Sequence, residues 1–253
     1  VVMLNLDIKA TSDKGRVRTN NEDMILINGT FIRDNTIHRH VQVTDQGKYI
    51  MAIADGMGGH NGGEVASEIV LKSLCSLFRR LLHHLSISSF NEAVYVWMDK
   101  INKRLEKKGE ESDDLYGMGT TLVGFLVYEN KFFWINCGDS RIYRYHSGML
   151  TQISNDHSLS NLMGVNERSN VIVNCIGGGC KTSYIDLVEF TDSVTDGDLF
   201  ILCSDGLTDM LGDIEIERVL AAGGASEELC AAAISAGGYD NISVCTVKVT
   251  IGE

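Results

Sequence analysis

The tightest constraint on this chain is a pair of apolar runs with almost nothing between them. Thr120–Tyr128 and Lys131–Cys137 are both strand-like, and only Glu129-Asn130 separates them. A parallel pairing needs a crossover of a dozen or more residues, so these two neighbours must pair antiparallel. Similar short runs occur at Leu4–Ala10, Met24–Asn28, Tyr49–Ala54, Ser140–His146, Ile185–Phe190, Asp198–Cys203 and Ile242–Thr250. Some, such as Phe200-Ile201-Leu202, are apolar at consecutive positions, which requires burial on both faces of the sheet.

Two longer stretches carry a helical period instead. From about Gly63 to His84, the residues Ala66, Ile69, Val70, Leu74, Leu77, Phe78 and Leu81 form one apolar stripe, with Asn61 and Glu64 spaced as a capping box. From about Asn91 to Lys108 the buried face is Val94, Trp97, Met98, Ile101 and Leu105, with Ser89 and Glu92 spaced as a second box. The rest reads mainly as strands. The expected class is α+β: a four-layer α-β-β-α sandwich with two antiparallel β-sheets flanked by helices, and residues 1–253 forming one domain.

Charge narrows the partners. The formal net charge is −12, from 34 acidic and 22 basic residues, the wrong balance for a protein that must neutralise nucleic-acid phosphates. No run of about 18 apolar residues suggests a membrane span, and Val1–Asp7 is too short and polar for a signal peptide. A cytoplasmic protein is expected. Its seven cysteines include no C-x-x-C pair and sit mostly in apolar runs, so they read as buried free thiols.

Acidic residues recur at the ends of the expected strands. They are Asn21-Glu22-Asp23, Asp55-Gly56-Met57-Gly58-Gly59-His60, Gly138-Asp139-Ser140-Arg141, Ser204-Asp205-Gly206 and Asp240-Asn241. Each alone is an ordinary turn signal. A sheet, however, gathers strand ends from distant parts of a chain. Carboxylates gathered there repel each other and raise one another's pKa unless cations neutralise them. No Cys/His spacing resembles a zinc site, so the ligands would all be oxygens, which suits Mg²⁺ or Mn²⁺.

These motifs, with Arg18-Thr19-Asn20 preceding the first, resemble in order and spacing those of the metal-dependent protein phosphatases, the type 2C serine/threonine phosphatases, and the D-G-M-G-G-H form resembles the bacterial branch. They span Arg18 to Ser243. The resemblance implies a β-sandwich flanked by helices and a centre of two Mn²⁺ or Mg²⁺ ions, with a weaker third. By the same resemblance, Asp55 would bridge the ions, the Gly56 carbonyl would join one of them, and Asp205 and Asp240 would hold the other. Asp139 would share the third ion with Asp205. Glu22 would hold a metal-bound water, Asp23 would orient waters from behind, and Arg18 would grip the substrate phosphate. Water activated by two ions would then attack phosphorus in line with the leaving oxygen.

Met57 stands where many animal members have a histidine, so no general acid transfers, and His60 does not inherit that role. Asp156 and His157 are expected either to be structural or to support the metal-holding residues from behind. Residues 158–171 match the family's variable flap, made polar by Asn161, Asn166, Ser169 and Asn170. The expected partners are phosphoproteins and a cognate serine/threonine kinase, and the expected state is a monomer. Two other readings stay open from sequence: a non-catalytic module on the same fold, and a phosphatase of small phosphorylated metabolites.

Overall fold

A computed structural model describes residues 3–58, 62–164 and 171–252. The chain begins with β1 (Met3–Asp13), β2 (Met24–Ile27), β3 (Thr30–Ile32), β4 (Asn35–Val43) and β5 (Lys48–Ala54). A short β6 (Gly56–Met57) leads into the helices α1 (Gly62–Arg80) and α2 (Ile87–Gly109). Strands β7 (Gly119–Thr120), β8 (Leu122–Tyr128), β9 (Lys131–Cys137), β10 (Arg141–His146) and β11 (Met149–Gln152) follow. Then come α3 (Leu159–Met163), β12 (Ile176–Gly177), β13 (Asp186–Glu189), β14 (Leu199–Cys203), α4 (Asp205–Thr208), α5 (Asp213–Ala221), α6 (Ser226–Ser235) and β15 (Ile242–Gly252).

These strands form two six-stranded sheets, in the orders β11-β10-β14-β15-β1-β4 and β13-β9-β8-β5-β2-β3. Every pairing is antiparallel. The two-residue turn between β8 and β9 places Glu129 and Asn130 at φ +47° and +63°, the left-handed conformation that matches the twist of a tight hairpin.

Strand period explains the layering. In β5, Tyr49, Met51 and Ile53 face the other sheet, while Ile50, Ala52 and Ala54 face α1 and α2. In β14, Phe200 and Leu202 enter the inter-sheet core, while Ile201 and Cys203 meet Ile216 and Leu220 of α5 and Leu229 and Ala233 of α6. The apolar runs are continuous because both faces are covered. The result is the expected α+β sandwich, helices outside and two sheets within. No helix of the described residues is long and apolar enough to cross a membrane.

Several local expectations are corrected. Helix α2 starts at Ile87, not Asn91: the Ser86 hydroxyl accepts the Ser89 N–H at 3.1 Å, so Ser86 is the cap and Ser89 lies inside the helix. At the start of α1, Asn61 lies outside the described residues, and Glu64 accepts a hydrogen bond from Arg33 at 3.0 Å. The run Thr120–Tyr128 breaks at Thr121, where β7 leaves the main sheet and joins a small ribbon, β12-β7-β6. Helices α5 and α6 occupy sequence that reads as strand or loop, and the edge strand β4 is too polar to read as a strand at all. The flap segment begins with the short helix α3; Asn166, Ser169 and Asn170 lie outside the described residues.

Candidate metal centre

The acidic motifs meet because the register of both sheets brings their strand ends to one side. Met24 pairs with Ala54, so Glu22-Asp23 before β2 and Asp55 after β5 emerge together. Leu122 pairs with Cys137, which sets Asp139 beside them. In the opposite sheet Cys203 pairs with Val244, so Asp205 after β14 and Asp240 before β15 emerge together.

The electrostatics show that these are one cluster. Asp55 is held well above the usual carboxylate range, first by burial and then by the charges of Asp23, Asp205, Asp139 and Asp240. Asp23, with no exposed surface, is raised to about 7 by burial, against hydrogen bonds from Ser204 and Ser243 and with the charges of Asp205 and Asp240 adding to it. Asp139 is also raised to about 7, by burial and then by Asp205 and Asp156. Glu22 is raised by burial, while the charge of Arg18 opposes the shift. Arg18 lies at the rim and donates from Nη2 to Asp240 Oδ2 at 2.7 Å; that bond raises its pKa, and Glu22 and Asp55 add to the effect. Arg18, Glu22, Asp23, Asp55, Asp139, Asp205 and Asp240 therefore share one end of the sandwich, with Gly56 directly behind Asp55.

Polar supports hold the acids in place. Asn241 Oδ1 accepts the Glu22 N–H at 2.8 Å, while its Nδ2 donates to the carbonyls of Lys14 and Asn20 at 2.9 and 2.8 Å. This single side chain ties the loop before β2 to the start of β15. Ser204 Oγ donates to Asp23 Oδ2 at 2.7 Å and accepts the Ser243 N–H at 3.0 Å. Asp55 is fixed through its backbone: its N–H donates to Thr121 Oγ1 at 3.1 Å, and its carbonyl accepts from Thr120 Oγ1 and the Thr121 N–H at 2.8 and 2.9 Å. A Cβ on Gly56 would fall 2.0 Å from the Gly63 carbonyl oxygen and 2.7 Å from that of Glu22, so only glycine lets these three segments converge.

Asp156 and His157 are both tied into hydrogen-bond networks beside the cluster. Arg141 grips Asp156 with contacts of 2.9 and 2.6 Å from Nε and Nη2. His157 Nδ1 accepts the Gly138 N–H at 3.1 Å and lies 2.8 Å from Asn174 Nδ2, which requires a proton on Nε2, facing Asp186 Oδ2 at 2.9 Å. His60 lies outside the described residues. Sequence reasoning missed Arg33, whose Nε donates to the Asp23 carbonyl at 2.9 Å and whose Nη1 donates to Glu64. It also assigned no role to Ser204, Thr121 or Asn241, although Ser204 and Asn241 stand within recognised motifs.

The donor set fits hard divalent cations. Every candidate side-chain ligand is a carboxylate. Asp23 Oδ1 and Asp139 Oδ1 are buried with no hydrogen-bond partner among the described residues, a costly state unless something cationic completes it.

Comparisons with known proteins identify the family and the fold. A family model described as "Protein phosphatase 2C" matches residues 24–228. The serine/threonine phosphatase stp of Listeria monocytogenes serotype 4b is 31% identical over 252 residues, covering 94% of this chain and 93% of that one. The serine/threonine protein phosphatase PstP of Mycobacterium tuberculosis H37Rv is 30% identical, covering 98% of this chain and 46% of that longer protein. Among solved structures, the catalytic domain of PstP in complex with two manganese ions aligns with a TM-score of 0.73 at 31% identity, covering 98% of this chain and 99% of that one. Stp1 from Staphylococcus aureus aligns with a TM-score of 0.78 at 29% identity, covering 96% and 94%. On the family match, the curated relatives and the shared architecture, the chain belongs to the protein phosphatase 2C family.

Proposed function

We propose that this chain is a metal-dependent phosphatase that hydrolyses phosphoserine and phosphothreonine monoesters in proteins, with two Mn²⁺ or Mg²⁺ ions as cofactors. The observation that carries the reading is the buried Asp23 and Asp139 oxygens, which have no donor among the described residues and lie among further carboxylates where two sheets end. Uncompensated buried carboxylates of this kind concentrate at functional sites.

In this reading Asp55, the Gly56 carbonyl, Asp205 and Asp240 hold the two ions, and Asp139 with Asp205 offers a weaker third position. When bound, the ions supply Lewis acidity and bring a water toward ionisation near neutral pH. The chain's own groups do the positioning. Glu22 accepts hydrogen bonds from water at the mouth of the centre. Asp23 does so from behind, its carboxylate oriented by Ser204. Arg18, now on Asp240, is exposed enough to turn to substrate. Its planar fork matches two phosphoryl oxygens and spreads the charge that develops on them in the transition state. The substrates are phosphoproteins, including those made by a serine/threonine kinase, and the enzyme acts as a monomer in the cytoplasm.

The test is hydrolysis of a phosphothreonine peptide with and without added Mn²⁺, repeated with Asp205→Ala after its fold is checked by circular dichroism. Hydrolysis should require Mn²⁺ and vanish in the variant. Activity that survives both EDTA and the substitution would end the reading, and faster turnover of small phosphorylated metabolites than of peptides would replace its substrate class.

A further inference from the structure

The small ribbon β12-β7-β6 joins the metal centre to a second piece of chemistry. Strand β6 carries Gly56 and Met57, next to Asp55, and β12 begins at Ile176, next to Cys175. Cys175 Sγ and Cys180 Sγ lie 3.3 Å apart. All seven cysteines are free, and Cys180 alone is not fully buried.

The contact is built. Between the two cysteines runs Ile176-Gly177-Gly178-Gly179, whose three glycines have φ of +73°, +62° and +80°. Three successive left-handed residues curl the chain back on itself, which other residues would do only under strain. The turn closes with the Cys180 N–H on the Gly177 carbonyl at 3.0 Å, and the Gly178 N–H on Met118 at 2.8 Å anchors it to the ribbon. The buried Asn102 of α2 clamps it from outside: Oδ1 accepts the Gly177 N–H at 2.6 Å, and Nδ2 donates to the Cys180 carbonyl at 2.9 Å. A Cβ on Gly178 would sit 2.9 Å from Cys175 Sγ and 3.8 Å from Met57 Sδ. The thiols are thus held in contact by a backbone pinned at both ends, and a disulfide of about 2.05 Å needs only a further approach of roughly 1 Å.

We propose that Cys175 and Cys180 are a peroxide-reactive dithiol that closes reversibly to a disulfide. The half-buried Cys180 reacts first. Its thiolate attacks one oxygen of a hydroperoxide; an S–O bond forms, the O–O bond breaks, and the departing oxygen takes up a proton. Cys175 then gives up its proton and its sulfur attacks the Cys180 sulfur; the S–S bond forms and the hydroxyl leaves as water. Two thiols lose two electrons, and one hydroperoxide becomes an alcohol, or water, plus a water. Burial, and then the contact with Cys180, push the Cys175 thiol far above the ordinary range, which suits it to the second step rather than the first.

The test reads mass and does not depend on phosphatase activity. Both cysteines fall in one tryptic peptide, residues 169–181. The reduced protein is treated with hydrogen peroxide while folded, then denatured, alkylated with N-ethylmaleimide and digested. The peptide should lose two hydrogens and take up no maleimide, and dithiothreitol should restore two additions. The peptides carrying Cys75, Cys203, Cys230 and Cys245 should stay fully alkylated. In Cys175→Ser, peroxide should leave a dimedone-reactive sulfenic acid on Cys180. If peroxide leaves the wild-type peptide doubly alkylated, oxidises it beyond sulfenic acid without a disulfide, or links Cys180 to Cys137, the proposal is wrong. The wild-type measurement decides even if the variant does not fold.

Discussion

Two fully buried aspartates in this protein meet opposite fates. Asp23 and Asp198 both have no exposed surface. Burial pushes Asp198 up, but the Thr195 N–H at 2.8 Å and hydrogen bonds from Arg144 and His146, with the charge of Arg144, outweigh it and leave its pKa lowered. Burial pushes Asp23 up to about 7, and the charges beside it are Asp205 and Asp240. One carboxylate is completed by the protein itself. The other has one oxygen without a partner among the described residues. Burial alone therefore does not mark a functional acid; burial without compensation does. Changes at the two places should act on different quantities.

The largest effect is expected in catalysis. Asp240→Asn should lower phosphopeptide hydrolysis by on the order of 10³-fold while hardly moving the unfolding transition, as steady-state kinetics and urea unfolding will show. Asp198→Asn should do the reverse. It strands Arg144 and His146 and should destabilise by about 3 kcal/mol, with activity per folded molecule unchanged. If Asp198→Asn instead removed activity from well-folded protein, the contrast would collapse.

Acid sharpens the second half of that comparison. Asp198 has a folded pKa below its unfolded value near 3.9, so its contribution is full above that value and is lost as pH falls through the lowered folded one. The stability gap between wild type and Asp198→Asn should therefore be constant from pH 5 to 7 and narrow below about pH 4. A gap that persisted to pH 2 would mean that the ion pair is not its source.

Divalent ions probe the first half. Saturating Mn²⁺ at about 100 times its dissociation constant should stabilise wild type by about 2.7 kcal/mol and leave Asp55→Asn little changed. In EDTA the order should invert, with Asp55→Asn more stable than wild type by about 1 kcal/mol, because one repelling charge is gone. Equal stability shifts in both proteins would place the ions elsewhere.

Much of this was legible because strand ends are marked twice, by an apolar run and by the acid that follows it. The runs ending at Ala54 and Cys203 fixed where Asp55 and Asp205 emerge. Helices α5 and α6 were not legible. α5 buries Ile216 and Leu220, and α6 packs with small residues such as Ala233 that leave little periodic signal. Edge strand β4 was hidden because the consecutive residues His38, Arg39 and His40 are all exposed, on both faces of the strand, polar groups suited to an unpaired edge that break the apolar alternation of Ile37, Val41 and Val43. The supports of the centre were hidden for a different reason. Arg33, Thr121 and Ser204 act through long-range hydrogen bonds whose partners are brought near only by the sheet register.

Ser204 gives the smallest and most specific test of those supports. Its hydroxyl donates to Asp23 and accepts from the backbone of Ser243, so it links the two sheets beneath the acidic cluster. Ser204→Ala removes that donor and leaves Asp23 without it. Without ions the loss should be about 1 kcal/mol, the ordinary value of one buried hydrogen bond. With ions the larger consequence is orientation. An acid that holds water must point the right way, and losing the group that aims it should weaken Mn²⁺ affinity by roughly 10-fold while leaving peptide KM at saturating Mn²⁺ unchanged. Calorimetric titration and kinetics at two Mn²⁺ concentrations separate these outcomes. A rise in KM with unchanged Mn²⁺ affinity would move Asp23 from the ions to the substrate.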